Sequence, residues 1–324
     1  MGLTRLKLAA LAAATAIGLF AHVDASQAQS DYPNKPITII VPRSAGGGID
    51  QLARLLAPIW EKELGAHFVI ENAEGAGGAI AIAEAERLPA DGYTILCFSP
   101  PAEYVLQLQG RFGSGSVSDW QMIGATNSDP GAVAVPPDSP FKTFNDILAA
   151  SKGGKRLSVA TIGRTTGSAL SAMVYQSTFG VKWGIVPFDG GGDMTTALIG
   201  GHTDFGIRQG GMYDLHPAKL RIVAVAADQR IAELPDVPTI KEVTGKDIVY
   251  SAFRGFAIKK GTPPEIIKKL QDTFAKAAQS PEIANKQFQV TGFRYQFLDA
   301  VQFQKEADKQ AKVAEQYKDE ILGK

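Results

Sequence analysis

The sequence predicts an α/β fold of mostly parallel strands, and three observations carry that prediction. From Asp31 onward, short apolar or β-branched runs alternate with longer amphipathic segments, the layering of α/β proteins. Glycine-rich turns stand between several of those runs and the segments that follow them. The length of 324 residues, with 45% apolar and 20% charged residues, suits two domains or one large one with an ordinary core.

Each element has its own warrant. Ile37 to Val41 (ITIIV) is a β-branched strand, followed by the loop PRSAGGG and a helix in which Leu52, Leu56, Ile59, Trp60 and Leu64 recur at helical spacing. Asp50 is placed to cap this helix, Pro58 to kink it and Gly65 to end it. His67 to Ile70 is a second strand. ENAEGAGG then leads into the helix AIAIAEAERL, stopped by Pro89, and Asp91-Gly92 turns the chain into a third strand, Tyr93 to Phe98. The same grammar recurs further on. Ala132 to Val135 is a strand, FKTFNDILAASKGG a helix, LSVATIG a strand and SALSAMVYQSTFG a helix. GIVPF, the turn DGGG and the helix MTTALIGG follow, with strands at Thr203 to Ile207 and Arg221 to Ala226. PPEIIKKLQDTFAKAAQ and AVQFQKEADKQAKVAEQYKDEIL are amphipathic helices with charged, solvated faces.

The N-terminus carries an address. Arg5 and Lys7 precede the 13-residue apolar run Leu8 to Phe20, and small residues follow at Ala25 and Ala28. That is the layout of a secretory signal peptide over residues 1–28, too short for a permanent membrane span. It predicts a soluble, periplasmic product. Lys plus Arg and Asp plus Glu both number 33, so no basic field exists to hold a phosphate backbone, and nucleic acid is excluded as a partner. The single cysteine, Cys97, lies in the apolar run TILCF and reads as an inert core thiol.

Three glycine-rich turns, SAGGG at 44–48, GAGG at 75–78 and GGG at 190–192, each lie between a strand and the start of a helix. Unpaired amides and the positive end of the helix dipole point outward there, and glycine lets a ligand approach the backbone. Such turns attract carboxylates or phosphates. Taken singly, each equally suits a tight strand-to-helix connection. Catalytic patterns are missing: His67, His202 and His216 are scattered, and no HExxH, GxSxG, GxxxxGK[ST] or GxGxxG motif occurs. Neither a metal nor a cofactor is expected.

At these turns the chain resembles the solute-binding receptors of tripartite tricarboxylate transporters, the Bug or TctC-type proteins. The family's YP-x-(K/R)-PI and VPF-x-x-GG-x-x-D resemble DYPNKPITIIVPRSAGGGID, its EN-x-x-GAGG matches ENAEGAGG, and its PDGYT is similar to ADGYT. VPFDGGG, LIGGHTD, LPDVPT and GFAIKKGTP resemble further family segments in the same order. The resemblance implies a type II periplasmic binding fold, with two α/β lobes joined by a hinge and a ligand cleft between them. Residues 29–128 and 253–324 would form the first lobe and 129–252 the second, with crossovers near Ile123 to Pro130 and Val249 to Arg254.

By that resemblance, Ser44, Ala45, Gly46, Gly47 and Gly48 pair with Gly75, Ala76, Gly77 and Gly78 as a pincer on a ligand carboxylate, through backbone amides and bridging waters. Arg164, Thr165, Thr166 and Ser168, with Asp189, Gly190 and Gly191, would supply the second lobe's share. Asp204 matches the aspartate of the LLGG-x-x-D motif and is expected to orient backbone. The departures bear on the cargo. Arg43 stands where the family usually has phenylalanine, Ala45 and Glu74 stand where it often has proline, and a histidine common near GRTTGSALSAM is missing. Arg43, Arg164 and Arg208 fall at strand or loop ends, where a guanidinium suits a second carboxylate, although each taken singly better suits solvation or internal pairing with an acid such as Asp50 or Glu74. Ser99, beside Phe98 and Pro100, would add a flat wall. The expectation is a monomeric receptor, without catalytic activity, that closes on an organic di- or polycarboxylate, or an aromatic acid, and delivers it to a membrane permease. An exported enzyme acting on an organic acid and a sensor subunit need the same pocket.

Overall fold

A computed structural model describes residues 31–164, 166–188, 190–210, 220–248 and 250–323. Ten strands run through one curled sheet that divides into two lobes. In the first lobe β1 (Ile37–Val41) lies between β2 (Phe68–Asn72) and β3 (Thr94–Phe98), all parallel. Antiparallel to β3 comes β9 (Ser251–Lys259), then β4 (Trp120–Val135), then β10 (Tyr295–Leu298). The second lobe is built on the far end of β4. There β4 pairs with β8 (Arg221–Val225) on one side and β7 (Phe205–Gln209) on the other, and β5 (Leu157–Ile162) and β6 (Trp183–Phe188) follow in parallel. The 16-residue β4 therefore belongs to both lobes. It passes from one to the other where Pro130 still faces Ser251 of β9 and Gly131 already faces Gln209 of β7.

Helices cover both faces. On the first lobe, α1 (Gly48–Leu64) packs with α8 (Pro264–Ala278) and α9 (Pro281–Thr291). Trp60 is fully buried among Phe68, Phe256 and Phe274, and its indole N–H donates to Thr273 Oγ1 at 3.0 Å. An indole so placed satisfies its one polar atom while removing a large apolar surface, and truncating it to alanine costs about 3–5 kcal/mol. A second apolar cluster joins α2 (Ala79–Arg87), α3 (Ala102–Leu108) and α10 (Ala300–Gln316) through Phe98, Phe112, Trp120 and Phe303. In the second lobe α4 (Phe144–Lys152), α5 (Gly167–Phe179) and α7 (Ile240–Thr244) share one core, whereas α6 (Gly191–Ile199) packs into another with Leu220 and Ile231. A fifth cluster bridges the lobes. Val105 of α3, Leu170 of α5, Tyr250, Ala314 of α10 and Tyr317, just before α11 (Lys318–Leu322), are all buried together.

One local expectation changes. The helix expected to be capped by Asp50 begins at Gly48 with Gly47 as its N-cap, so Asp50 sits within the first turn, as its third residue, and reaches back to the Gly46 amide at 2.8 Å. The helix also continues through Pro58, on its exposed side, to a left-handed Gly65. Cys97 is buried, and burial pushes its thiol pKa up, which keeps it protonated and unreactive.

Candidate functional site

Strands β1, β3 and β5 end at one place, and the turns that follow them enclose a cavity of about 130 Å³ between the lobes. Clefts outside the carboxyl ends of parallel strands are the usual ligand sites of open α/β sheets. From the first lobe, Arg43, Ile49, Ser99 and the Pro100-Pro101 pair line it. From the second come Ile162, Thr166, Gly167, Ser168 and Gln209. The floor is Ala252, Phe253 and Arg254, at the start of β9, beside the point where β4 crosses between the lobes. At 130 Å³ the cavity falls below the roughly 300 Å³ at which pockets for drug-sized ligands begin, and it suits a small molecule.

Two helix N-termini open onto this space. Ile49 stands in the first turn of the 17-residue α1, and Gly167 and Ser168 in the first turn of the 13-residue α5. Neither N-cap, Gly47 or Thr166, gives a side-chain cap. First-turn amides have no carbonyl within their own helix to bond, and each helix end carries about half a positive charge. The arrangement favours an anion.

Arg43 reaches the cavity because the second glycine turn makes room for it. Its Nη1 donates to Pro42 O at 2.6 Å and to Gly77 O at 3.2 Å. A side chain at Gly78 would come within 2.9 Å of that same nitrogen. All four residues of the turn have positive φ: Gly75 122°, Ala76 50°, Gly77 72° and Gly78 108°. Only at Ala76 does a residue with a Cβ accept that conformation. Burial lowers the Arg43 pKa and Glu103 opposes this, but a guanidinium stays charged. Asp50 and Glu74, the alternative partners for Arg43, are engaged elsewhere. Asp50 bonds Arg54, Gly46 and Asn72, while Glu74 accepts from Ser44 Oγ in a short hydrogen bond that ties the first glycine turn to the segment before the second. Burial works to raise the Asp50 pKa, but Arg54, the Gly46 amide and Asn72 together hold it below the ordinary value.

Behind Ser99 lies Glu103, 3% exposed, whose Oε1 accepts from the Ser99 amide at 2.9 Å. Burial raises its pKa. The Ser99 hydroxyl, buried at the cavity, has no hydrogen-bond partner among the described residues. On the other side Ser168 Oγ accepts from Ile162 N at 2.9 Å, and Thr166 Oγ1 donates to Ile162 O, so these hydroxyls shape the turn that leads into α5. Gln209 donates to Ser171 Oγ at 2.8 Å, and Ser171 Oγ donates to Gly167 O at 2.9 Å, which braces the first turn of α5.

The sequence-predicted residues therefore divide. Arg43, Ser99, Thr166 and Ser168 line the cavity. Ser44, Ala45, Gly46, Gly47 and Gly48, and the Gly75 to Gly78 turn, form the rim beside Arg43 rather than the wall. Arg164 is exposed, and no acid among the described residues pairs with it. Gly190 and Gly191 begin α6, where the Arg208 guanidinium lies over Gly191, away from the cavity lining. Asp204 accepts from Ser158 N and Ser158 Oγ at 2.8 and 2.9 Å, near the start of β5, about 13 Å along the strand from Ile162. Thr165 and Asp189 lie outside the described residues. Sequence reasoning missed Gln209 and Arg254. A charged residue inside the apolar run SAFRGFAI was the signal for the second.

Among the described residues no helix is long and apolar enough to cross a membrane, and no group of His, Cys, Asp and Glu is placed to hold a metal ion.

Comparison with known proteins gives these features a family. The model of the tripartite tricarboxylate transporter family receptor, TctC, matches residues 52–318. An Agrobacterium vitis protein, described as a UPF0065 protein in the TAR-I ttuE-ttuC′ intergenic region, is 32% identical over 264 residues, 81% of this chain and 76% of its own. A TctC solute-binding protein from Polaromonas, solved without ligand, is 28% identical with a TM-score of 0.75, over 90% of this chain and 99% of its own. An R. palustris protein solved with adipate, at 24% identity, shares the fold with a TM-score of 0.77 over 90% of this chain and 99% of its own. The chain belongs to the tripartite tricarboxylate transporter family of receptors, the TctC-type periplasmic solute-binding proteins.

Proposed function

We propose that the protein captures a small organic dicarboxylate or polycarboxylate in the cavity between its lobes and delivers it to a membrane permease of the tripartite tricarboxylate type. Residues 1–28 act as the cleaved export signal, and the working form is a monomer in the periplasm. The observation that carries this reading is the meeting of two uncapped helix N-termini and Arg43 at one small cavity. One carboxylate lies across the helix ends and the glycine-turn rim, held by amides and bridging waters. Arg43 takes a second. The lobes divide near Asn127 to Gly131 and Tyr250 to Phe253, where β4 and β9 pass between them, and the ligand closes them by contacting both. The adipate in the R. palustris neighbour is a diacid, which agrees with the reading.

The test is a thermal-shift and calorimetric screen of the mature protein against mono-, di- and tricarboxylates and aromatic acids. Stoichiometric binding of a diacid, without product, is the expected result. Turnover of the bound acid would assign an exported enzyme instead. Loss of growth on that acid after deletion separates transport from sensing. Arg43→Ala should weaken diacids far more than their monoacid analogues; equal losses would remove Arg43 from the site.

A further inference from the structure

Asp129 and Arg254 meet at the crossing of the two lobes. Arg254 Nη1 lies 2.5 Å from Asp129 Oδ2, with the side chains 13% and 0% exposed. Asp129 Oδ2 also accepts from Asn127 Nδ2 at 2.7 Å, and its Oδ1 accepts from the Arg294 amide at 2.9 Å. Burial raises the Asp129 pKa and Arg254 foremost opposes it. All three partners donate, so the oxygens find no acceptor for a carboxyl proton, and the ionised form fits its surroundings. Arg254 in turn donates to Gln209 O at 3.2 Å and lies 4.0 Å above the Phe293 ring, while part of it lines the cavity floor. Phe293 fits there because Gly48 and Gly210 carry no side chains that would collide with it.

We propose that Asp129 is the residue that sets the ligand's charge: by cancelling Arg254 it leaves the cavity with a demand for two negative charges rather than three. Arg43 and the helix ends of α1 and α5 supply about two positive charges between them. The other charged groups around the cavity cancel or recede. Asp50 is paired with Arg54, and burial pushes Glu103 toward its neutral form. A buried carboxylate under the floor is also a repulsive element, and specificity is often built by penalising the wrong ligand. A third carboxylate placed over Arg254 meets Asp129 directly behind it. The guanidinium keeps its shape and its stacked position for the ligand without adding net charge.

This inference rests on the carboxylate-receptor reading and narrows it to dicarboxylates. The probes are pentanoate, glutarate and propane-1,2,3-tricarboxylate, which share a five-carbon chain and differ in charge. Calorimetry on the mature protein should show the wild type preferring glutarate to the tricarboxylate by about tenfold or more. Asp129→Asn should move that ratio at least tenfold toward the tricarboxylate. Arg254→Gln should move preference the other way, toward pentanoate, and the double variant should return to the wild-type order. Each single variant is readable alone should the other fail to fold. An unchanged ratio in a folded Asp129→Asn or Arg254→Gln protein, or a wild type that prefers the tricarboxylate or the monoacid, overturns the charge assignment alone. Binding of none of the three overturns it together with dicarboxylate capture.

Discussion

Gly78→Ala isolates the contribution of Arg43. The substitution has two effects of different kind. At φ 108° any Cβ strains the backbone, which costs about 1–2 kcal/mol. The new methyl also comes within 2.9 Å of Arg43 Nη1, the far end of a flexible side chain, and the guanidinium must swing away from Gly77 O. Gly65→Ala supplies the control. Gly65 has φ 75°, closes α1 at the end remote from the cavity, and has nothing within 4 Å of a Cβ. Both variants should lower Tm by roughly 2–4 °C, the shift expected from such a strain in a chain of this size. Only Gly78→Ala should lose diacid affinity. Removing one charge-assisted hydrogen bond is worth about 1.5–3 kcal/mol, or about 10- to 150-fold in Kd by calorimetry. Diacid affinity retained within about threefold would take Arg43 out of ligand contact. Equal losses for monoacids and diacids would show that the glycine turn itself, and not the guanidinium behind it, holds the ligand.

Three further outcomes follow from the packing. Asp50→Ala removes the acceptor of the Gly46 amide and of Arg54, leaves Asn72 Nδ2 with only the Arg43 carbonyl, and should cost about 1–3 kcal/mol in urea unfolding. Because the folded Asp50 pKa is lowered, its contribution is present above the unfolded value of about 3.9 and is lost as pH falls through the folded value, so wild type and variant should converge in acid. A gap that persists at pH 2 would contradict this. Glu103 behaves oppositely: its folded pKa is raised, so ionising it costs stability as pH rises above the unfolded value of about 4.3. Glu103→Gln keeps an acceptor for the Ser99 amide and should raise neutral-pH stability while flattening the pH profile there, which a pH series of Tm values checks. Leu170→Ala opens the seam between α5, α3 and the C-terminal helices, where about 2–5 kcal/mol is at stake. If that seam forms only on closure, the loss falls on ligand Kd; a lowered Tm with unchanged Kd would show that it is permanent.

How much of this was legible depends on the range of the interaction. The first strand–turn–helix unit was readable because its signals are local: ITIIV is β-branched, Leu52, Leu56 and Trp60 fall on one helical face, and Gly65 adopts the left-handed conformation that ends the helix. The middle of β4 was not. TNSDPG has the composition of a turn, yet it continues a strand because β9 lies alongside from Trp120 to Pro130, the Asp129 carboxylate accepts from Arg254 and the Thr126 carbonyl accepts from the buried Gln287 side chain. The helices α3 and α9 were also missed. One is seven residues long after a Pro-Pro pair, and the other, PEIANKQFQVT, buries only Ile283, Gln287 and Thr291. Arg43 could be singled out from its place after β1. Arg254 stands out only as a charge inside an apolar run, and its role could not be read because its partner Asp129 lies 125 positions away in the chain.

The same distinction bears on how binding becomes motion. A ligand shifts an open–closed equilibrium only by the difference between its affinities for the two forms, and moving a population from 1:99 to 99:1 needs about 5.5 kcal/mol. Contacts to one lobe exist in both forms and contribute nothing to that difference. What counts is what the second lobe adds on closing: the α5 amides behind Thr166 and the wall at Ser168 and Gln209. At about 1.5–3 kcal/mol for each hydrogen bond to a charged group, two to four such contacts suffice. In the absence of an anion the two positive helix ends face each other across the same small space and repel. A neutral molecule of the right shape would leave that repulsion in place. Negative charge is therefore required for closure itself and not only for affinity, so a neutral diester of a bound diacid should fail to close the protein, as measured by small-angle scattering, even at concentrations where it occupies the cavity.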